Sequence, residues 1–157
     1  MARTLVKTIK AFENESISVI GENTAASTNT VIFRYDSIAH DSSTTISYTD
    51  SPTLGGYFEV SEAGYYAVGF YNRVSDSSSR SFALVKRVSG DASNITNIDA
   101  ESNDNILSLG TRASGANAAH NVHWTGYLEA GTRIFTGATP ADPTTIDKAR
   151  FTITKIG

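Results

Sequence analysis

The chain has 157 residues, enough for one domain that buries about 68–70% of the surface its unfolded form exposes. Only 18% of the residues are charged and the net charge is −3, so no global basic field marks a nucleic-acid partner. There is no cysteine, which excludes a disulfide framework and thiolate metal sites, and no apolar run approaches the roughly 18 residues of a membrane-spanning helix.

The opening stretch, MARTLVKTIKAF, carries Arg3, Lys7 and Lys10, a local charge of +3 in an acidic protein. Lys7 and Lys10 interrupt any signal-peptide apolar region, so synthesis in a cytoplasm without secretion by this end is expected. Leu5 and Ile9 lie between the cations and Phe12 just after the last of them. Two readings stand side by side: an ordinary first strand over 4–10 with solvated charges, or an arm that pairs with an edge strand of a neighbouring protein.

Beyond it, strands are predicted over 16–20, 30–36, 44–48, 56–60, 65–73, 80–88, 105–109, 120–128, 132–136 and 149–156. These runs are rich in Val, Ile, Thr, Tyr and Phe and are bounded by Gly, Asn, Asp, Ser and Pro. The clearest is GGYFEVSEAGYYAVGF, residues 55–70, which reads as strand, tight turn, strand. Gly64 is expected at positive φ in that turn, and Gly131 in the turn between Glu129-Ala130 and the next strand. Tyr66, Val68 and Phe70 share one parity; Tyr65 and Tyr71 share the other and need a different cover.

Further along, Phe82 and Leu84 oppose Ala83, Val85 and Arg87. In VHWTGYLEAGTRIF, Val122, Trp124, Gly126 and Leu128 oppose His123, Thr125 and Tyr127. Ser89 to Asn105 reads as a long polar loop, and residues 137–147 as a second loop stiffened by Pro140 and Pro143. At the end, Phe151 and Ile153 oppose Thr152 and Thr154, in a strand expected to lie inside a sheet. The longest helix candidate, NDNILSLGTRASGANAAHNV, is broken by Gly110 and Gly115 and lacks a helical stripe. Many short strands with regular turn signals give an all-β antiparallel sandwich or jelly roll. It is organised as an arm and first strands over 1–30 and a jelly roll over 31–157, one compact unit overall.

The residues offer little to catalysis. No serine sits in a Gly-x-Ser-x-Gly elbow, and no glycine-rich phosphate loop follows a strand. His120 and His123, three apart on a strand, face opposite sides and cannot share a metal. Asp91, Asp99, Glu101 and Asp104 line the long loop without the spacing of a calcium site. The expectation is therefore no enzyme, no catalytic residue, no resident metal and no cofactor.

The run from Phe58 to Val68 resembles the hallmark of the C1q/tumour-necrosis-factor-like jelly roll, through Phe58, Val60, Gly64, Tyr66 and Val68. Leu128, Gly131 and Ile134 resemble that family's later turn, with Thr132 where Asp is usual, and Phe151 resembles its terminal strand. The resemblance covers roughly residues 53–157. It implies a homotrimer, for which Tyr65 and Tyr71 are the candidate interface residues. Combined with intracellular synthesis and Ser/Thr/Asn-rich strands, the chain resembles such jelly rolls in bacteriophage virions. That likeness implies a head decoration or cement protein bound to the major capsid protein or another virion protein. Its capsid-contact arm would be Arg3, Leu5, Lys7, Ile9, Lys10 and Phe12. The alternative is the receptor-binding tip of a fibre or spike that recognises host-surface saccharide.

Overall fold

The computed structural model describes residues 14–21, 31–74, 81–91, 93–110, 119–139 and 146–157. Ten strands follow in chain order: β1 (Ser16–Gly21), β2 (Ser37–Asp41), β3 (Ile46–Ser51), β4 (Gly55–Val60), β5 (Gly64–Val74), β6 (Ser81–Arg87), β7 (Ile106–Leu109), β8 (Ala119–Leu128), β9 (Arg133–Thr139) and β10 (Ile146–Lys155). They form two five-stranded sheets with antiparallel neighbours. We call β2-β1-β10-β5-β8 the front sheet and β3-β4-β9-β6-β7 the back sheet. The fold is a jelly-roll β-sandwich.

The period-two pattern of the strands places the core. Phe58, Val60, Tyr66, Val68, Phe70, Phe82, Leu84, Val122, Leu128, Phe151 and Ile153 all point between the sheets and are buried. Phe58 and Phe151 join the two sheets with ring centroids 4.3 Å apart. Tyr66 is fully buried, and its hydroxyl donates to the Glu62 carbonyl at 2.7 Å. The apolar site is thereby reconciled with a phenol that must find a partner. Deep in the sandwich the Tyr35 and Thr136 hydroxyls satisfy each other at 2.7 Å.

The last strand lies in the middle of the front sheet, between β1 and β5. The pairing continues past β10: Ile156 N–H donates to the Tyr65 carbonyl, and Tyr65 N–H to that of Gly157. This explains Gly64. It does not adopt the expected positive φ, which among described glycines occurs at Gly21, Gly55, Gly90 and Gly131. The constraint is close approach instead, because a Cβ on Gly64 would stand 2.8 Å from the Gly157 carbonyl oxygen. Gly131, at φ 79°, does turn as expected.

Three other expectations need correction. Residues 30–36 are not a strand: from Val31 on, only an isolated bridge joins Ile32 to Gly137. The segment passes instead from one core layer to the other. Val31 and Ile32 pack outside the back sheet, Phe33 and Tyr35 pack between the sheets, and Tyr48 Oη clamps the Tyr35 backbone at both N–H and C=O. The polar loop after Ser89 is a strap rather than a solvated excursion. It contains a 3-10 turn at Ile98–Ala100, and it buries Ile95 and Ile98 with Tyr57, Ala83, Val85 and Phe135 on the outer side of the back sheet. The second loop is shorter than expected, because β9 runs through Thr139. The strand expected over 4–10, Pro140 and Pro143 all lie outside the described residues.

Two polar locks secure the loops. Arg87, with a side chain only 4% exposed, makes a two-pronged pair with Glu101 at 2.6 and 2.7 Å, while Asp91 lies 3.5 Å from its Nε. The guanidinium hydrogen bonds hold the Glu101 carboxyl below its ordinary range. Glu15, just before β1, gathers the turn between β2 and β3. Its carboxylate accepts from the Ser43 hydroxyl at 2.8 Å, from the Thr44 and Thr45 hydroxyls, and from the Thr44 and Thr45 amides. The Thr45 hydroxyl and then the Ser43 hydroxyl lower its pKa most, from 4.5 to about 2.

Two predictions follow from this packing. Tyr66→Ala is expected to destabilise the domain by about 3–5 kcal/mol and Tyr66→Phe by about 1 kcal/mol, read by denaturant unfolding. A Tyr66→Ala protein that melts with the parent would remove Tyr66 from the core. For Glu15, a depressed folded-state pKa means that its stabilisation is fully present above pH 4.5, the unfolded value. It declines as pH falls toward about 2, where the folded carboxylate protonates. Thermal midpoints of Glu15→Gln should therefore lie below the parent at neutral pH and converge on it across that acid window. A constant gap down to pH 2 would count against this role.

Candidate self-association face

The outer sides of the two sheets are treated differently. Outside the back sheet, Val31, Ile32, Leu54, Ile95 and Ile98 cover the outward residues Tyr57, Ala83, Val85, Ile106 and Phe135. Outside the front sheet, no described segment of the chain plays that part. Its outward positions follow from strand parity and register. On β5 they are Tyr65, Ala67, Gly69, Tyr71 and Arg73; on β8, Ala119, Asn121, His123, Thr125 and Tyr127; on β10, Lys148, Arg150, Thr152 and Thr154.

The lower end of this face is aromatic. Tyr65 and Tyr127 are directly opposed in register, 56% and 50% exposed, with rings edge to face and centroids 5.5 Å apart. Ile156, 47% exposed, continues the chain beside Tyr65. Tyr71 points outward too, but it is less exposed, at 36%, and lies about 20 Å up the strand from Tyr65 at ~3.3 Å per residue. The two tyrosines expected at one interface thus share a face and do not touch.

Between them lies an open groove of about 350 Å³. Its floor is built from small residues, Ala67, Gly69, Thr152 and Thr154, and its sides include Tyr71, His123 and Arg150. Gly69 leaves the floor low: a Cβ on it would stand 3.1 Å from Nδ1 of the exposed His123 ring, which would have to shift by a few tenths of an ångström. Thr152 Oγ1 donates to Ser18 Oγ at 3.0 Å, tying the floor to β1.

The histidines are on opposite sides of β8, as their spacing requires. His120 is buried and stacks on Phe82 at 4.2 Å, and His123 is exposed. Among the described residues no three His, Asp or Glu side chains gather in a way that could hold a metal ion. Of the loop acids, Glu101 is committed to Arg87, Asp91 accepts from the Ser93 amide, and Asp99 accepts from the Thr139 hydroxyl at 3.3 Å. Arg3, Leu5, Lys7, Ile9, Lys10 and Phe12 lie outside the described residues. The residues singled out for the fold are all in place: Phe58, Val60, Tyr66, Val68, Leu128, Ile134 and Phe151 are buried. Tyr127 and Arg150 were not singled out from sequence. The outward parity of Tyr127 was legible, but its partner Tyr65 is fixed only by the β5–β8 register.

No family model matches the chain, and no curated protein matches it in sequence. Solved structures do. Murine APRIL at pH 5.0 superposes with a TM-score of 0.67 at 10% identity, over 92% of this chain and 100% of that one. Murine APRIL at pH 8.0 gives 0.64 at 11% with the same coverage. The globular domain of zebrafish complement 1qA gives 0.57 at 13%, over 92% of this chain and 98% of that one. At such identities the likeness is one of architecture: the chain has a C1q/tumour-necrosis-factor-like jelly-roll fold.

Proposed function

We propose that the chain is a structural, non-enzymatic module that associates with itself as a homotrimer through the outer face of the front sheet. The observation that carries this reading is the exposed Tyr65–Tyr127 pair beside Ile156. It is an apolar patch on a sheet face that the described residues leave bare, while the strap covers the corresponding face of the other sheet. Apolar area of this kind is stabilised by burial against a partner, and rigid aromatics are the side chains that dominate such contacts. The C1q/tumour-necrosis-factor-like architecture supports a threefold arrangement.

The setting we propose is a bacteriophage virion, with the trimer as a head decoration or cement protein. The low charge, the absence of cysteine and the Ser/Thr/Asn-rich strands support it. The partner is the major capsid protein or another virion protein, and attachment is through the cationic, apolar-interleaved residues 1–12.

Sedimentation equilibrium at micromolar concentration should show a trimer. Replacing Tyr65 and Tyr127 by Ser should weaken association by about a hundredfold or more, since paired aromatic anchors are each worth about 2 kcal/mol. The thermal midpoint measured under dissociating dilution should hardly move. A wild-type monomer in that experiment would sink the reading. For the virion role, deleting residues 1–12 should leave the trimer intact and abolish binding to capsids stripped of the protein. Arg3, Lys7 and Lys10 replaced by Gln should weaken that binding most at low salt. Undiminished binding of the truncated chain would move the attachment to the jelly roll itself.

A further inference from the structure

The upper half of the bare face differs chemically from its aromatic lower end. Lys148 and Arg150 stand two residues apart on the outward side of β10, both exposed. Among the described residues neither makes an ion pair. Arg150 borders the groove, where Tyr71 is its register neighbour on β5. Among the described residues no carboxylate lines the groove, and the described outward positions of β1, β5, β8 and β10 carry no Asp or Glu. The remaining polar lining is hydroxyl and imidazole: Thr125 and Thr154, which among the described residues have no other acceptor, and His123.

A solvated arginine needs no partner. Covered by a second copy, the same guanidinium loses its water, and an unpaired buried charge is costly. Wherever a second copy covers Arg150 with this same face, none of the described outward positions of β1, β5, β8 and β10 offers a carboxylate to meet it. The missing negative charge then has to come from solution. The groove supplies what an oxyanion needs: a planar fork of N–H donors that matches two oxygens at once, and hydroxyl donors around a floor of small residues that leaves room for the anion.

We infer that the groove is a seat for an oxyanion, a phosphate, sulfate or carboxylate group held by Arg150 with the Thr125 and Thr154 hydroxyls, and that its occupancy promotes self-association. The link to association rests on the self-association reading above; the seat itself does not. Because a ligand that favours the assembled state tightens assembly by mass action, the two are separable by experiment.

The test uses the full chain and inorganic phosphate. Calorimetric titration of dilute protein measures the seat. Sedimentation equilibrium in chloride and in phosphate buffers of equal ionic strength measures the link, and both are repeated on Arg150→Gln, an exposed position whose change leaves the core untouched. Wild type is expected to bind phosphate, to lose about tenfold or more of that affinity in Arg150→Gln, and to associate about tenfold more tightly in phosphate than in chloride. Arg150→Gln should associate in chloride as wild type does in phosphate and ignore the change of buffer. Absence of phosphate binding by wild type, or equal binding by the variant, overturns the seat. If phosphate weakens association and Arg150→Gln abolishes it, the guanidinium meets a carboxylate of the second copy and the inference is wrong. A protein monomeric in both buffers that still binds phosphate through Arg150 upholds the seat and overturns the self-association reading.

Discussion

A two-sheet sandwich has four faces, and the described residues of this chain cover three of them. The two inner faces close on each other around Phe58, Tyr66, Phe82 and Phe151. The third is the outer side of the back sheet, sealed by the Val31–Ile32 crossing and the strap that carries Ile95 and Ile98. The fourth, outside β1, β10, β5 and β8, is covered by none of the described residues. Much else depends on this allocation. The long loop after β6 is polar along most of its length because its two isoleucines, Ile95 and Ile98, suffice as cover. The buried Arg87–Glu101 pair exists because the strap has to be held at its root. The tyrosines of β5 divide between inner and outer roles by parity alone.

Polar anchoring of apolar covers recurs. Tyr48 holds the crossing segment by its backbone, Glu15 holds the β2–β3 turn, and Arg87 holds the strap. In each case a single side chain satisfies several groups at a place where sheet hydrogen bonds run out. Breaking a buried pair such as Arg87–Glu101 by removing one partner costs about 3–5 kcal/mol, more than the surface pair Lys155–Glu62 contributes. The asymmetry makes these anchors sensitive positions outside the hydrophobic core.

How much of this was legible depends on whether a segment obeys one periodicity. β4, β5, β8 and β10 each keep one face inside and one outside over their length, so Phe58, Tyr66, Leu128 and Phe151 were readable as core. β2 was missed because all five of its residues are exposed, so Ser-Ile-Ala-His-Asp shows no alternation to read. Residues 30–36 misled for the opposite reason: a β-rich run divides itself between two core layers instead of two faces of one sheet. Glu15 sits in Asn-Glu-Ser, which reads as surface, and its partners are about thirty positions away. The groove is the least legible feature. It exists only because three strands place Gly69, His123 and Thr152 side by side, and register across strands that are distant in sequence leaves no local trace.

The central position of β10 bears on how the molecule is made. Ser16 pairs with Thr154 and Val19 with Phe151, so the second strand out of the front sheet's edge waits for nearly the whole chain. During synthesis at about 5–20 residues per second, β1, β2 and β5 emerge long before the strand that joins them, and the front sheet cannot close until β10, Ile146–Lys155, has been made. Pairings this distant in sequence place the domain among slow, high-contact-order folders, on the millisecond-to-second scale. Until β10 arrives, the facing edges of β1 and β5 are unpaired and open to the wrong strand, including one from a neighbouring nascent chain.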